Sequence, residues 1–427
     1  MSQLCGNIDL LYAMPHSALK RCLCCDSDQL VPVLDLQSQP PANLYLKEPR
    51  EEIQQFPLCL NRCMNCWHSQ LSWNVDRREI FDDYAYVSGT SKTLNNFFAW
   101  FSQALKNTIG AGASVLEIAA NDGSLIKAMQ GDGFTCAGVD PAKNIVELAQ
   151  KQGLPLHMGY WPLVADDIDG TFDAIVCMNV LAHVDTPLEF LDGCRRKLSG
   201  SGVVVIQPSQ ARMFENGEFD TIYHEHISFF NTRSISELAK RAGLKLVGTA
   251  LVKVHGDSPV YFLMHDNPST KVPSFDAFRQ GEFGIDEDLF EYEKRIDLFN
   301  SKTYLNFEST ARTVIEGVQQ VVLDHQLDGF KIVFVGAAAK AITLLNAAKV
   351  QPDHLLDEAP LKIGLYAPGC NTLVEPLTAA ALWDKPTLFI LSAWNFRIEL
   401  AEKLAKIGVP EGSKFYSYFP SPQWINA

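Results

Sequence analysis

Within the largely apolar stretch from Asp220 to Phe230, four consecutive positions hold Tyr223, His224, Glu225 and His226. Titratable groups at that density are costly to bury without a use. A histidine beside a carboxylate is the usual general base near neutral pH, because its reference pKa of about 6.5 is easily tuned. Tyr223, Glu225 and His226 therefore form the candidate acid–base cluster, with His224 among them. The same residues admit two other readings: a second metal site built from His224, Glu225 and His226, or a satisfied polar turn. Upstream, the run Phe81 to Gly89 adds Tyr84 and Tyr86, which either reach the same cleft or pack with a wet hydroxyl.

Sulfur supplies a second kind of chemistry. Cys22-Leu-Cys-Cys25 and Cys63-Met-Asn-Cys66 each place two thiols at the spacing with which a tight turn aims both at one tetrahedral Zn²⁺. Two such pairs, Cys22, Cys25, Cys63 and Cys66, make one closed site. Four thiolates leave no open coordination position, so this Zn²⁺ is structural. Chance clustering and a redox Cys-x-x-Cys are the alternatives, and Cys24 and Cys59 lie near enough to exchange with a ligand. The odd total of 11 Cys also speaks against a disulfide framework and for a reducing compartment. No basic segment precedes an apolar one near Met1, so the cytoplasm is the expected location.

A third set follows the pattern strand, small-residue turn, helix start. In Val115-Leu-Glu-Ile-Ala-Ala-Asn-Asp-Gly-Ser-Leu125, residues Glu117, Ala119, Asn121, Asp122 and Gly123 lie where nucleotide-type cofactors sit in α/β sheets. Asp140, at the end of the next apolar run, is placed to hold a ribose diol. The dinucleotide pattern G-x-G-x-x-G is absent, and Glu-x-x-x-Asn-Asp-Gly suits S-adenosylmethionine better. A tight turn with a capping Asp is the plainer reading. Asn179 and His183 follow a further apolar run and belong at the rim of the sheet, where a lone His can equally be structural.

The elements that must position these groups are those of an α/β protein. Ser114–Ile118, Thr135–Val139, Phe172–Cys177 and Gly202–Ile206 read as buried parallel strands alternating with helices. Lys331–Val335, Lys362–Tyr366 and Thr387–Leu391 read as strands of another α/β unit, after one long amphipathic helical stretch from about Asp286 to His325. Turn formers at Gln37 to Asn43 mark the N-terminal module as loop-rich. The expected layout is a zinc-binding module over residues 1–90, a Rossmann-like domain over 91–265 and a second Rossmann-like α/β domain over 275–427. Hydrophobic residues make up 47% of the 427 and charged residues 20%, a globular balance without a membrane span. The net charge of -14 repels phosphate backbones at long range and argues against nucleic acid, though not against a phosphorylated small molecule. A monomer is the expected state.

Taken together and in this order, the motifs resemble the zinc-containing, S-adenosylmethionine-dependent C-methyltransferases that act on nucleotide-linked keto-deoxysugars. The likeness rests on the two Cys pairs, Gln39-Pro-Pro-Ala-Asn43, Phe56-Pro-Leu58 and Phe81 to Ser88 in the N-terminal part. In the middle it rests on Glu117 with Asn121 to Gly123, Gly138 to Pro141, Asn179 to Val184 and Tyr223 to His226. In the C-terminal part it rests on Gly336 to Lys340, Leu344 to Asn346, Lys362 with Gly364, Pro368-Gly369 and Ala393 to Asn395. The resemblance implies a class I methyltransferase fold, S-adenosylmethionine, and attack on its methyl group by an enolate formed next to a ketone. It also implies roles. His226 becomes the base and Glu225 its partner or an acid, while Tyr223 with Tyr84 or Tyr86 donates to the oxyanion. His183, Lys340, Lys362 and Asn395 face the substrate.

Three positions depart from the family pattern. Ala119 stands where a Gly is usual, which implies a tighter approach to the cofactor or weaker affinity. His255-Gly-Asp-Ser-Pro-Val260 places Asp257 at a usual Gly and lacks a following Arg, which points to a non-sugar carbonyl metabolite as the alternative substrate. Gln207 and Lys362-Ile-Gly364 are lesser changes. A non-catalytic module that only binds S-adenosylmethionine is the alternative of another class.

Overall fold

The computed structural model describes residues 16–50, 52–77, 92–209, 211–266 and 271–426. Near the N-terminus, β1 (Ser17–Ala18) pairs with β5 (Trp73–Asn74). Between them β2 (Leu30–Gln39), β3 (Phe56–Cys63) and β4 (Ser69–Leu71) form an antiparallel sheet. The expected loop begins later than Gln37. Gln37 adopts a left-handed φ of 64° at a register shift between β2 and β3. Its N–H donates to Asp35 Oδ1 at 2.8 Å, so the strand bulges and continues to Gln39 instead of ending.

Helix α1 (Lys92–Ile109) leads into an alternating run: β6 (Ser114–Ile118), α2 (Ser124–Gly131), β7 (Thr135–Asp140), α3 (Lys143–Lys151), β8 (Leu156–Met158), β9 (Phe172–Met178), α4 (Pro187–Lys197) and β10 (Leu198–Gln207). The five strands are mutually parallel in the order β10-β9-β6-β7-β8. All four strands expected here are present. The chain then leaves this sheet. β11 (Ser228–Phe229) pairs antiparallel with β4, Ser228 against Gln70 and Phe229 against Ser69. Helix α5 (Thr232–Arg241) follows with a capping box at Asn231. The hairpin β12 (Leu244–Val252) and β13 (Ser258–His265), with β14 (Gly284–Ile285), adds an antiparallel edge and completes eight strands.

The long helix expected over 286–325 is two helices, α6 (Leu289–Arg295) and α7 (Ser301–Leu327). Asp297 is left-handed at φ 52°, and the Asn300 side chain caps α7 by accepting from Lys302 N. Turn-forming polar residues thus override an amphipathic pattern that runs across the break. A six-stranded sheet follows, made of β15 (Lys331–Val335), β16 (His354–Asp357), β17 (Val374–Pro376), β18 (Thr387–Leu391), β19 (Lys414–Ser417) and β20 (Gln423–Ile425), with α8 (Ala339–Ala348) and α9 (Arg397–Ile407). Its order is β17-β16-β15-β18-β19-β20, and only β20 runs antiparallel to its neighbour. The expected strand at Lys362–Tyr366 is instead a turn through left-handed Gly364 (φ 87°). Tyr366 meets Leu46 in an isolated antiparallel bridge, which joins the N-terminal module to this unit.

The N-terminal sheet does not bury an apolar face alone. Leu34, Leu58, Leu60 and Leu71 share one cluster with Phe307, Val318, Ile332, Phe334 and Ile342, and Phe219, Ile222 and Phe229 belong to it as well. A cavity of about 680 Å³ opens where the parallel strands β6, β7 and β9 end, closed on the far side by the first turn of α8. That is the position at which open α/β sheets bind ligands. No helix among the described residues is long and apolar enough to cross a membrane.

Candidate active site

The four thiols come together as expected. The sulfurs of Cys22, Cys25, Cys63 and Cys66 all lie within 4.8 Å of one another, with Cys22 to Cys66 and Cys25 to Cys63 at 3.5 Å. A Zn–S bond of about 2.3 Å requires tetrahedron edges of about 3.8 Å, so the set fits Zn²⁺ and has no position left for a reacting molecule. Asn65 N–H points at Cys63 Sγ at 3.4 Å, as thiolates in such turns require. Cys24 and Cys59 are not part of the set. Arg241 of α5 donates to Cys24 O at 2.6 Å, and Gln70 accepts from Leu23 N at 2.8 Å and donates to Arg21 O at 3.0 Å. The metal turn is thereby tied to β4.

At one end of the cavity the wall is acidic. Glu117, one residue before the end of β6, is nearly buried, with Oε2 lacking any hydrogen bond. Burial, and then the charges of Asp140 and Asp122, pushes its carboxyl well above the usual range. Asp140 accepts from Asn121 N and Ala142 N, both at 2.9 Å, and so fixes the loop after β6. That loop is left-handed at Ala119 (φ 56°) and Asn121 (φ 47°). Glu117, Ala119, Asn121, Asp122, Asp140 and Asn179 all line the cavity, whereas Gly123 does not. Gly123 caps α2 at φ 75°, where a side chain would press on Leu154. The orphaned buried acceptor on Glu117 calls for a ligand bearing hydroxyl or ammonium donors, which S-adenosylmethionine carries. Gln207 serves this end too, donating Nε2 to Asn179 Oδ1 at 3.2 Å.

The acid–base segment forms the opposite wall. His226 Nδ1 faces the carbonyl of Thr221 at 2.9 Å, and a carbonyl only accepts, so Nδ1 carries the proton. Nε2 is then an acceptor, and Tyr223 Oη donates to it at 2.9 Å. Burial first, and then His183, holds His226 well below its usual pKa. The ring is a neutral base. His183 lies with its ring centroid 5.0 Å from that of His226 and donates Nδ1–H to Glu225 O at 2.6 Å. Tyr223, His226 and His183 line the cavity; His224 and Glu225 do not. The His224 ring turns the other way, against Phe56 at 6.0 Å, and burial lowers its pKa to about 4. Packing beside the N-terminal sheet removes it from the chemistry. The carboxyl of Glu225, expected beside the imidazole of His226, instead accepts from Asn43 Nδ2 at 2.9 Å. Both nitrogens of His226 are already engaged. Tyr84 and Tyr86 lie outside the described residues.

Comparison with known proteins fits this arrangement. Residues 22–81 match a putative zinc binding domain, 90–249 a methyltransferase domain, and 284–420 a C-methyltransferase C-terminal domain. The chain is 26% identical over 422 residues to the C-methyltransferase NovU of Streptomyces niveus, covering 96% of this chain and 97% of that protein. The protein is an S-adenosylmethionine-dependent C-methyltransferase. A ubiquinone biosynthesis O-methyltransferase of Thiobacillus denitrificans is 25% identical over 185 residues, covering 36% of this chain and 78% of that one. A solved S-adenosylmethionine-dependent methyltransferase from Clostridium acetobutylicum covers 45% of this chain and 96% of its own at 14% identity, with a TM-score of 0.32.

The C-terminal unit of the methyltransferase brings Lys340, Lys362 and Asn395 to the cavity. Neither lysine is a bare charge. Lys340 Nζ lies 3.5 Å from Glu218 and 4.0 Å from Asp220, over the Trp394 ring at 4.9 Å. Lys362 Nζ donates to Ala337 O at 2.7 Å. The changed loop at His255 does not put a carboxylate into the site. His255 lines the cavity, while Asp257 turns outward to Arg212 at 3.0 Å. The carboxylate therefore gives no reason for a change of substrate class, while the expected Arg remains absent from this segment. Sequence reasoning assigned no role to Asn43, Tyr160, Trp161 or Arg77, which also line the cavity. Asn43 stood inside a quoted motif; Arg77, paired with Asp185, gave no signal.

Chelating the metal, or the substitution Cys63→Ser, should lower the melting temperature and abolish turnover at a chelator concentration that still leaves cofactor binding intact, because the cofactor loop belongs to another sheet. An unchanged melting curve on metal removal would show that the thiols hold no structural ion. Ala119→Gly should raise the midpoint, by up to about 2 °C, since a left-handed Ala carries roughly 1–2 kcal/mol of strain against about 0.4–1 kcal/mol of added chain entropy for Gly. Calorimetry of the two proteins decides it.

Proposed function

We propose that this enzyme methylates the carbon beside the ketone of a nucleotide-linked keto-deoxysugar, through an enolate. One observation carries the reading: the proton-accepting Nε2 of His226 and the Tyr223 hydroxyl stand 2.9 Å apart on the wall of the same cavity as Glu117, Asp140 and Asn179. S-adenosylmethionine, when bound, supplies an electrophilic methyl group. Glu117, Asp140 and Asn179 hold it, on the acidic side. An incoming ketone separates the Tyr223 hydroxyl from Nε2. His226 then takes the proton from the carbon next to the carbonyl, the electron pair moves to the carbonyl oxygen, and the Tyr223 O–H donates to that developing oxyanion. The carbon, carrying the returning electron pair, would form the new C–C bond to that methyl group as the methyl–sulfur bond breaks, its electron pair staying on sulfur in the departing thioether.

The deoxysugar rests on the motif resemblance and on the cationic side chains across the cavity. Lys340 and Lys362 answer a diphosphate, and Asn395 a neutral hydrogen-bonding group. In this scheme residues 1–90 stabilise the catalytic segment, 91–265 bind the cofactor and 275–427 hold the substrate. One chain supplies every residue used, so a monomer suffices.

The test is native mass spectrometry and turnover with a panel of nucleotide-linked 4-keto-6-deoxysugars; a methylated product from none of them would end the sugar assignment. His226→Ala should reduce kcat by about 10²–10⁴-fold with cofactor binding retained, whereas His224→Leu should leave turnover within about threefold, as fits a residue outside the reaction. A base is active when neutral, and His226 stays neutral below the usual histidine value because its folded pKa is depressed. The acidic limb of kcat/KM should accordingly fall below about pH 6.5. A limb at or above that pH would remove His226 as the base.

A further inference from the structure

Glu225 holds a carboxyl inside the protein without using it on the imidazole next to it in sequence. His226 spends Nδ1 on Thr221 O and Nε2 on Tyr223 Oη. The Glu225 side chain, only 4% exposed, accepts from Asn43 Nδ2 through Oε1, while Oε2 is buried with no partner. The carboxyl is absent from the cavity wall; Asn43 is on it. What Glu225 does for the reaction must therefore pass through Asn43, 182 residues away in sequence.

Asn43 is held by the residues that follow it. Two residues on, Tyr45 Oη donates to Ala337 O at 2.6 Å, and Leu46 exchanges backbone hydrogen bonds of 2.9 and 2.7 Å with Tyr366. A primary amide has donors on nitrogen and acceptor capacity on oxygen. Here the amide nitrogen is engaged by Glu225 Oε1, which leaves the amide oxygen for another partner.

We propose that Asn43 is the substrate-orienting residue of this site, and that Glu225 is a positioning residue acting through it. The carboxyl fixes the amide so that Oδ1 accepts from a hydroxyl carried near the ketone. The proposal rests on the ketone-methylating reading and adds the recognised group, a hydroxyl donor, and the residue that meets it. It removes Glu225 from proton transfer.

The experiment compares wild type with Asn43→Ala, Glu225→Ala, Glu225→Gln and the double alanine variant, using whichever nucleotide-linked ketone of the panel turns over. Zinc content and S-adenosylmethionine binding serve as folding controls. Each alanine variant should lower kcat/KM by about 10-fold, the scale of one hydrogen bond, with the larger part in KM. The double variant should lose no more than either single one. Glu225→Gln should recover most of the loss, because its amide oxygen still accepts from Asn43, and the pH limb should stay in place. A loss of about 10²-fold or more in kcat for both Glu225 variants, or a moved limb, would return Glu225 to proton transfer. Multiplying losses in the double variant would break the link to Asn43.

Should no ketone be turned over, the sugar reading fails and the pair is still tested. The Asn43 side-chain amide signal, identified by its loss in Asn43→Ala, is followed by ¹⁵N NMR of the zinc-loaded enzyme with S-adenosylhomocysteine. It should shift and exchange faster with solvent in Glu225→Ala and remain near its place in Glu225→Gln. A signal unmoved in Glu225→Ala overturns the proposal.

Discussion

The site depends on an antiparallel contact only two residues long, the pairing of Ser228 and Phe229 with Gln70 and Ser69. Two residues of ladder contribute little by themselves. Here they are reinforced by Leu71 N–H donating to Ile227 O at 2.9 Å, by His68 against Ser228 Oγ at 3.2 Å and by Asn231 Nδ2 on Trp67 O at 2.7 Å. All of these partners on the N-terminal side follow directly on Cys63 and Cys66. A tetrahedral ion that fixes those turns therefore fixes the end of the acid–base segment. The zinc has no chemical role, yet the geometry of His226 is downstream of it.

The same segment is where the three sheets meet. Glu218 and Asp220 approach Lys340 of the C-terminal unit, and Asp220 also accepts from Trp394 Nε1 at 3.2 Å. Thr221 sets the tautomer of His226. Glu225 offers its carbonyl to His183 of the central domain and its carboxyl to Asn43 of the N-terminal module. Nearly every residue from Phe219 to Phe229 is buried, so these polar groups have no water to fall back on and must find one another. Burial also explains why the imidazoles stay neutral and the Asp220 carboxyl rises to about 6: desolvation opposes charge on both.

What the residue pattern reveals follows from range. Parallel strands such as Phe172–Met178 are legible because their apolar runs are continuous, and the four thiols because two short spacings suffice. The turn at Lys362–Tyr366 has the alternation of a strand, and only the left-handed Gly364 decides against it. The acid–base cluster is visible as a density of titratable groups, but its wiring is not. Nothing local says that Glu225 faces Asn43 rather than His226, that His224 turns toward Phe56, or that Asp257 answers Arg212 instead of a substrate. Each of those pairings joins distant stretches of chain, and each is chosen by burial and shape that emerge only when the three sheets share a core.

Charge is arranged along the cavity in a way the overall composition conceals. Glu117, Asp122 and Asp140 line the cavity from the loops after β6 and β7, while Lys340 and Lys362 line it from the C-terminal unit. A sulfonium and an ammonium suit the first; the second suits an anion, as the proposed diphosphate would be. Yet the whole chain carries -14, a field that salt screens beyond about a Debye length, roughly 8 Å in physiological salt, and that works against such a substrate closer in. Attraction must then come from groups that are close and fixed. Lys340 meets that need because two buried carboxylates and the Trp394 ring hold its ammonium in place. They also offset part of its charge, so the lysine acts by position more than by field. In the proposed scheme discrimination would consequently lie in short hydrogen bonds, the kind of contact that a held amide such as Asn43 supplies.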